Sequence, residues 1–416
     1  MGAPLPSTTE IEMDFNLTEE QTMMRNMARD FARNEIRPLA NKYYREDKKI
    51  PTEELDDLIR KANQLRLLDY YYPEEYGGLG VTDRLLTCII TEELSWADAG
   101  IYVHLSASSL AAKALSTMGS TEQKKKWLPK FTNPNNEAKI PGIAAFCLTE
   151  PEAGSHVLGM TTTAKKVGNE WVINGRKTFI TNGGRADVYI VIAQTNTNAE
   201  SNGERALGLA GFLVEKGTKG LSYSSDFKKW GVLASNTTEV VFDNVHIPAE
   251  QRLGGTDGSG GEGMGSVYAT LEATRVGVGA AALGIARAAF ETTVTYAKTR
   301  VQKKPIIEYQ GVSHKLADME CEIQAARMLI WNAAWRVSNG LALERGEGSQ
   351  AKYFASEVAV RTCLNAIQIH GGYGFMKEYD VGRWLNDAII FRIWEGTSEV
   401  QKNTIAKYLA GLDFDA

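Results

Sequence analysis

The sequence predicts an α+β fold in three regions: an N-terminal α-helical domain, a middle antiparallel β domain and a C-terminal four-helix bundle. Three observations carry this. The chain has 416 residues, enough for two or three packed regions. Its apolar spacing is helical from about residue 18 to 135, strand-like between Pro141 and Pro248, and helical again after the Gly-rich stretch 254–265. Its composition, 43% hydrophobic and 23% charged, is that of an ordinary globular protein and excludes collagen-like, coiled-coil-only and wholly disordered chains. The switches set the boundaries: a flexible extension over 1–12, the helical domain over 13–140, a β-barrel or sandwich over 141–253 and the bundle over 254–416.

The elements follow in order. Thr18 before Glu19 and Glu20 is a helix start, and Met23, Met24, Met27, Ala28 and Phe31 recur at helical spacing. Pro51 followed by Thr52, Glu53 and Glu54 opens a second helix, since Pro and acids suit a first turn. Residues 76–80 form a Gly-rich turn, 83–95 are apolar enough for a buried helix, and Ser120 starts a helix carrying Trp127 and Leu128. The β region offers strands over 143–148, 161–167, 170–173, 177–181, 188–194, 209–214, 221–224 and 238–242, with Asn174-Gly175 as a hairpin signal. Beyond it, 267–303 is a long helix rich in small residues, interrupted by Arg275, Arg287 and Glu291 and so better read as part of a water-exposed bundle than as a membrane segment. Helices over 313–338, 348–369 and 379–394 complete the bundle.

Charge and cysteine usage narrow the function classes. Lys and Arg total 46 against 51 Asp and Glu, a net charge of -5, so nothing points to nucleic acid. Cys88, Cys147, Cys321 and Cys363 lie far apart with no C-x-x-C pair, and the five histidines form no H-x-x-x-H pair; neither a disulfide framework nor a metal site is expected. No apolar run reaches membrane length, and residues 1–11 lack the basic start and apolar core of a signal peptide. A bacterial or archaeal cytoplasm is the default expectation; a mitochondrial matrix protein with its presequence removed would look the same.

Gly258-Ser-Gly260-Gly-Glu-Gly263 matches G-x-G-x-x-G but fails as a dinucleotide fold. The helix after it runs about 35 residues, and the acid expected about 20 residues further on is missing. Four other stretches are more informative. Phe146-Cys-Leu148-Thr149-Glu150-Pro151-Glu-Ala-Gly154-Ser155 is a strand running into a Gly/Ser turn whose N–H groups can hold anionic or carbonyl groups, or simply a bend. Lys177-Thr-Phe179-Ile180-Thr181-Asn-Gly-Gly184 puts Phe179 and Thr181 on one strand face, bordering a flat heterocycle or filling the core. Gln368-Ile-His370-Gly371-Gly372-Tyr-Gly374 ends a helix on glycines that also let a ligand approach the backbone. Ile393-Trp394-Glu395-Gly396-Thr397-Ser398 places a carboxyl between an apolar run and a new helix start; burial there makes Glu395 a stronger base, while exposure makes it an ordinary surface acid.

Together, in this order, these stretches resemble the acyl-CoA dehydrogenase family from Leu17 to about Leu412, and the three-region architecture is the family's own fold. The resemblance implies FAD bound without a Rossmann domain. Phe146, Leu148, Thr149, Gly154, Ser155, Phe179, Ile180 and Thr181 would contact the flavin, with Thr397 and Glu399 in the next FAD segment. Arg300, Gln310, Gln368, Gly371 and Gly372 would hold the pyrophosphate and adenosine, in the family on a neighbouring subunit, which implies a homotetramer built as a dimer of dimers. Leu271-Glu272-Ala-Thr-Arg275 resembles the D-x-x-R element that contacts the CoA part of the substrate; Ser155, Trp394 and Gly396 join Glu272 and Arg275 as substrate contacts. Glu395 matches the base of the Y-E-G-T motif. The implied reaction is α,β-dehydrogenation of an acyl-CoA: Glu395 takes the α-proton, FAD N5 accepts the β-hydride, and an electron-transfer flavoprotein is the electron acceptor.

The sequence departs from the family pattern in several places. His156 stands where Asp is usual, Leu233 where Arg is usual and Trp394 where Tyr is usual. The segment after Arg300 is one residue short and lacks its aromatic. Trp394 and His104 can both reshape the acyl pocket, so a branched, alicyclic or aryl-substituted substrate is expected rather than a plain straight chain. A minority of the family carries its base on the helix of Arg275, but Thr274 stands before the Arg and Glu272 is two residues too early. An oxygen-reactive oxidase and a non-catalytic acyl-CoA-binding relative are the competing functions; retention of Glu395 weighs against the second.

Overall fold

The computed structural model describes residues 15–135, 137, 139–199, 201–254 and 263–411. The predicted extension over 1–12 and all of the G-x-G-x-x-G stretch except Gly263 lie outside the described residues.

The N-terminal region is helical: α1 (Glu19–Phe31), α2 (Arg37–Arg45), α3 (Thr52–Gln64), α4 (Arg84–Ala97), α5 (Ala99–Ser106), α6 (Ser108–Met118) and α7 (Thr121–Trp127). Local chemistry sets the starts. Thr18 and Ser120 each form a reciprocal capping box with a Gln three residues on, which satisfies two N–H groups per helix end. Asp83 and Asp98 cap α4 and α5 by accepting from Leu85 and Ile101 N–H. A π-turn over Ala32–Ile36 joins α1 to α2.

The middle region is a curled seven-stranded sheet: β1 (Ala144–Cys147), β2 (Thr163–Val167), β3 (Glu170–Thr181), β4 (Val188–Gln194), β5 (Leu209–Glu215), β6 (Leu221–Tyr223) and β7 (Thr237–Pro248), with the short α8 (Asn202–Leu207) before β5. Strand order is β1-β4-β2-β3-β7-β6, with β5 on the other side of β4. Three expectations are corrected. The sheet is mixed, because β1 runs parallel to β4 in the register Phe146↔Ile190. Asn174-Gly175 is no hairpin turn: β3 passes straight through it as a bulge against β7, and the β2–β3 turn falls at Gly168, whose φ is +60°. Gly175 is needed there because a Cβ would sit 2.6 Å from Thr162 Cα. Strand alternation also fails at 177–180, where a second register shift gives Phe179 a φ of +57° and breaks the common face expected for Phe179 and Thr181.

The C-terminal region holds α9 (Gly263–Thr299), the small hairpin β8 (Val301–Gln302) and β9 (Lys304–Pro305), α10 (Gln310–Ser338), α11 (Glu347–His370), α12 (Val381–Phe391) and α13 (Ser398–Ala410). Small residues let α9 sit close to its neighbours: Ala280, Ala281, Ala282, Ala286, Ala288 and Ala289 are all buried, and Ser95 of α4 donates to Ala281 O at 2.8 Å. Helix α4 therefore belongs to the bundle's core as much as to the N-terminal region. Another apolar cluster joins α6, the β1/β4 face and the start of α9, bringing all three regions together around one cleft. Of the four cysteines only Cys321 is exposed. Among the described residues no helix is long and apolar enough to cross a membrane.

Candidate active site

The cleft where the regions meet encloses about 1640 Å³. Single-ligand sites run to roughly 300–1,000 Å³, so it has room for two bound groups. From the sheet side it is lined by Phe146, Leu148, Thr149, Gly154, Ser155, Phe179, Ile180 and Thr181. From the bundle side come Glu272, Arg275, Trp394, Glu395, Gly396 and Thr397. All of these were singled out in the sequence.

The two sheet segments are locked to each other. Thr178 N donates to Thr149 O at 2.8 Å. Lys177 Nζ donates to Leu148 O at 2.9 Å and to Glu150 Oε1 at 2.8 Å, and Glu150 also accepts from Thr161 and Thr162. Burial pushes the Glu150 carboxyl up, but the Lys177 charge and these hydrogen bonds together pull it down to about 2. The platform offers a ligand open backbone at Gly154, where a Cβ would meet nothing within 4 Å, and an aromatic face at Phe179, which is 68% exposed.

Glu395 occupies the loop between α12 and α13. Its φ is +53°, and that of Gly396 is +86°. A non-glycine residue held in this region is strained, and such strain collects at functional sites. At Gly396 a side chain would be strained by that φ, and its Cβ would lie 2.6 Å from Gln401 Nε2 and displace the amide. Thr397 ends the loop by capping α13, accepting from Val400 N–H. The Glu395 carboxyl reaches the cleft yet sits deep in the protein. Burial raises its pKa, opposed by a 3.1 Å hydrogen bond from Thr274 Oγ1 and by the charges of Lys352 and Arg275. The carboxyl is therefore neither a solvated surface acid nor tied into an ion pair that would spend its basicity. Arg275 is buried and donates to Ser349 Oγ at 3.0 Å. Trp394 packs edge-on against Phe391 at 4.8 Å, whereas Ile393 turns outward and is 54% exposed.

Deeper walls of the cleft were not read from the sequence. Tyr70, Tyr71, Tyr72 and Tyr102 line it together with Thr87 and Thr91, and Tyr102 Oη lies 3.5 Å from Thr91 Oγ1. His104, which the sequence did single out as able to reshape the acyl pocket, lines it too, with Nε2 3.0 Å from Arg185, which in turn binds Asp56 at 2.6 Å. Burial, with the Arg185 charge, drives the His104 pKa down to about 4. Val232 approaches with a φ of +53°, held by its N–H on Asp387 at 2.6 Å.

Arg300, Gln368, Gly371 and Gly372 lie apart from this cleft. They line a second one of about 790 Å³ with Tyr296, His370 and Tyr373. The Cβ positions of Gly371 and Gly372 are open, and Arg300 stands over the Tyr373 ring at 5.6 Å. The shortened segment after Arg300 is the β8–β9 hairpin, turned at Lys303 with a φ of +64°. Gln310 and Glu399 line neither cleft. Gln310 is the exposed first residue of α10, beside the lining residue Tyr309, and Glu399 is exposed in the first turn of α13.

Comparison with known proteins decides the family. The acyl-CoA dehydrogenase N-terminal domain matches residues 18–134, the middle domain 145–245 and the C-terminal domain 261–410. The chain belongs to the acyl-CoA dehydrogenase family. An acyl-CoA dehydrogenase of Bacillus subtilis is 42% identical over 95% of this chain and 99% of its own length. A 3-(aryl)acrylate reductase of Clostridium sporogenes is 38% identical over 94% of this chain and 99% of its own. Among solved structures, butyryl-CoA dehydrogenase from Megasphaera elsdenii superposes with a TM-score of 0.85 at 38% identity, covering 96% of this chain and 100% of that one. An FAD complex of PigA superposes with a TM-score of 0.85 at 32% identity, covering 96% and 99%.

The chain is thus an oxidoreductase acting on acyl-CoA, and its cofactor is FAD. The residues present fit that group: the large cleft offers an aromatic face and open backbone for a flat ring, and the second cleft offers a cation and bare glycine backbone for phosphates.

Proposed function

We propose that the enzyme catalyses α,β-dehydrogenation of an acyl-CoA thioester to the 2-enoyl-CoA, with Glu395 as the base. The observation that carries this is the Glu395 carboxyl itself, presented to the cleft from a strained loop with its pKa raised by burial. An α-proton beside a thioester is weakly acidic, so its removal needs a base of raised pKa in a site that excludes water. Thr274 holds one carboxylate oxygen, leaving the other free to take the proton. The Phe146–Ser155 and Phe179–Thr181 segments would hold the flavin, with Thr397 at the next contact; Arg300, Gln368, Gly371 and Gly372 would hold the pyrophosphate and adenosine. Gln310 and Glu399 would join only as second-cleft and loop neighbours. FAD supplies the hydride acceptor when bound. Glu272 and Arg275, with Ser155, Trp394 and Gly396, would fix the thioester and CoA.

The acyl group we infer is branched, alicyclic or aryl-substituted. Four tyrosines and Trp394 wall the cleft with flat, stiff surfaces. The similarity to a 3-(aryl)acrylate reductase supports the same reading. Electrons would leave to an electron-transfer flavoprotein; a neighbour described as the electron transferring flavoprotein of Acidaminococcus fermentans superposes with a TM-score of 0.85. A homotetramer in the cytoplasm completes the proposal.

Anaerobic flavin bleaching against straight-chain, branched, dicarboxylic, alicyclic and aryl acyl-CoA esters tests it, with Glu395→Gln as control. Bleaching by one class, lost in the variant, is the expected result. No bleaching by any ester would sink the reaction, and best rates on butyryl- to octanoyl-CoA would sink the substrate class.

A further inference from the structure

The loop that presents Glu395 is held from behind by two side chains that the proposed reaction has not used. Consecutive positive φ values at Glu395 and Gly396 take both carbonyls out of any helical ladder. Gln401 Nε2 donates to Glu395 O at 2.9 Å and to Gly396 O at 3.0 Å. Lys352 Nζ, from the second turn of α11, donates to Gly396 O at 2.6 Å. Both side chains belong to residues that are 0% exposed. A buried ammonium is costly, and an apolar chain of the same length would fill the space at less expense. Its placement on the carbonyl next to the base therefore calls for a reason.

We propose that Lys352 is a positioning residue for Glu395: with Gln401 it clamps the Glu395–Gly396 backbone so that the carboxylate faces the cleft at a fixed place, and its charge moderates the strength of that base. The inference rests on the reading of Glu395 as the base. The charged groups around the pair are few. Lys352 is faced by Glu395, Glu357 and Glu399, and by Arg275. Glu395 is faced by Lys352 and Arg275, by the Thr274 hydroxyl and by the Tyr102 phenol. Burial raises the pKa of Glu395 while Lys352 lowers it, so the cation opposes part of the rise that burial causes. Burial also brings Lys352 itself down to about 8.

The test uses FAD-loaded enzyme and two readouts. One is the pH dependence of the single-turnover bleaching rate with the best ester. The other is exchange of the methyl protons of acetyl-CoA in D2O, which has no β-hydrogen and so reports proton abstraction alone. In Lys352→Met the rate at saturating ester falls about 10- to 100-fold with KM nearly unchanged, exchange falls in parallel, and the acidic limb of the profile moves to higher pH. Lys352→Arg keeps the limb in place. Gln401→Met slows both readouts without moving the limb, because the amide carries no charge. A Lys352→Met enzyme with the wild-type rate and limb overturns the proposal. Should that variant not fold, a Gln401→Met enzyme of unchanged rate, or a Lys352→Arg enzyme with a displaced limb, does the same. Wild-type enzyme that bleaches with no ester, or Glu395→Gln enzyme that still bleaches, removes the base reading first and this one with it.

Discussion

Lys177 and Glu150 form an ion pair of 2.8 Å whose side chains are 0% and 1% exposed, directly beneath the sheet platform of the cleft. The pair ties β3 to the loop after β1, and the Lys177 ammonium also holds Leu148 O. Removing one partner leaves the other charged and buried, which typically costs about 3–5 kcal/mol. Lys177→Met should therefore lower stability by that order and weaken FAD retention, read by urea denaturation and by flavin content after gel filtration. Lys177→Met combined with Glu150→Gln should recover a good part of the loss, since no unpaired charge remains. A Lys177→Met protein as stable and as yellow as wild type would refute this account. The pair also sets an acid limit. With the Glu150 pKa depressed to about 2, its stabilisation is present above the ordinary carboxyl range and is lost as pH falls from about 4.5 towards 2.

Thr274 tests the base in the same sense as Lys352, through a hydrogen bond instead of a charge. Its hydroxyl favours the ionised form of Glu395, so its removal raises the carboxyl pKa further. The base works deprotonated, so in Thr274→Val the acidic limb of kcat should move to higher pH, with the alkaline plateau kept within about tenfold. Glu395→Gln should instead lose about 10²–10⁴ in rate at all pH values while still binding the CoA ester. A displaced limb in the opposite direction would mean that Thr274 serves the neutral acid.

How much of this site could be read in the sequence depended on how local its causes were. The loop at 393–398 was legible because an apolar run, a carboxyl, a glycine and a helix cap lie within six consecutive positions. The capping residues Thr18 and Ser120 were legible for the same reason. Lys352 was not, because it reads as an ordinary helix residue and its partner Gly396 is 44 positions away. The parallel pairing of β1 with β4 is equally non-local, Ala144 opposite Val188. Asn174-Gly175 misled because a turn dipeptide also serves as a bulge when a long partner strand such as β7 continues past it. Ser201 and Glu204, a capping box for α8, carried a signal that the reading of the β region passed over.

His104 gives the fold a second pH dependence. Its folded pKa is depressed to about 4 against an unfolded value of 6.5, so between those values the unfolded chain binds the extra proton. Stability from this group is complete above about 6.5 and declines as pH falls towards 4, by roughly 3 kcal/mol in all. His104→Asn should flatten that part of the stability curve, measured by denaturant midpoints from pH 7 to 4.5. Parallel curves for the two proteins would show that His104 protonates without cost.

If the proposed acyl group is right, Tyr102, which lines the cleft, should limit the reach of the acyl chamber. It is held against Thr91 by its hydroxyl, 3.5 Å away, and lies near enough to Glu395 to feel its charge. A rigid ring in that position limits a long straight chain while offering a flat surface to a ring or branch. Tyr102→Ala should therefore raise kcat/KM for octanoyl-CoA relative to an aryl- or alicyclic-acyl-CoA by about tenfold or more, in line with the 1–3 kcal/mol that shape changes in an apolar pocket are worth. Tyr102→Phe, which keeps the ring and loses only the hydroxyl, should leave that ratio nearly unchanged. If both variants shift the ratio alike, the hydroxyl and not the ring selects the substrate, and a polar acyl group replaces the aryl or branched one as the expected class.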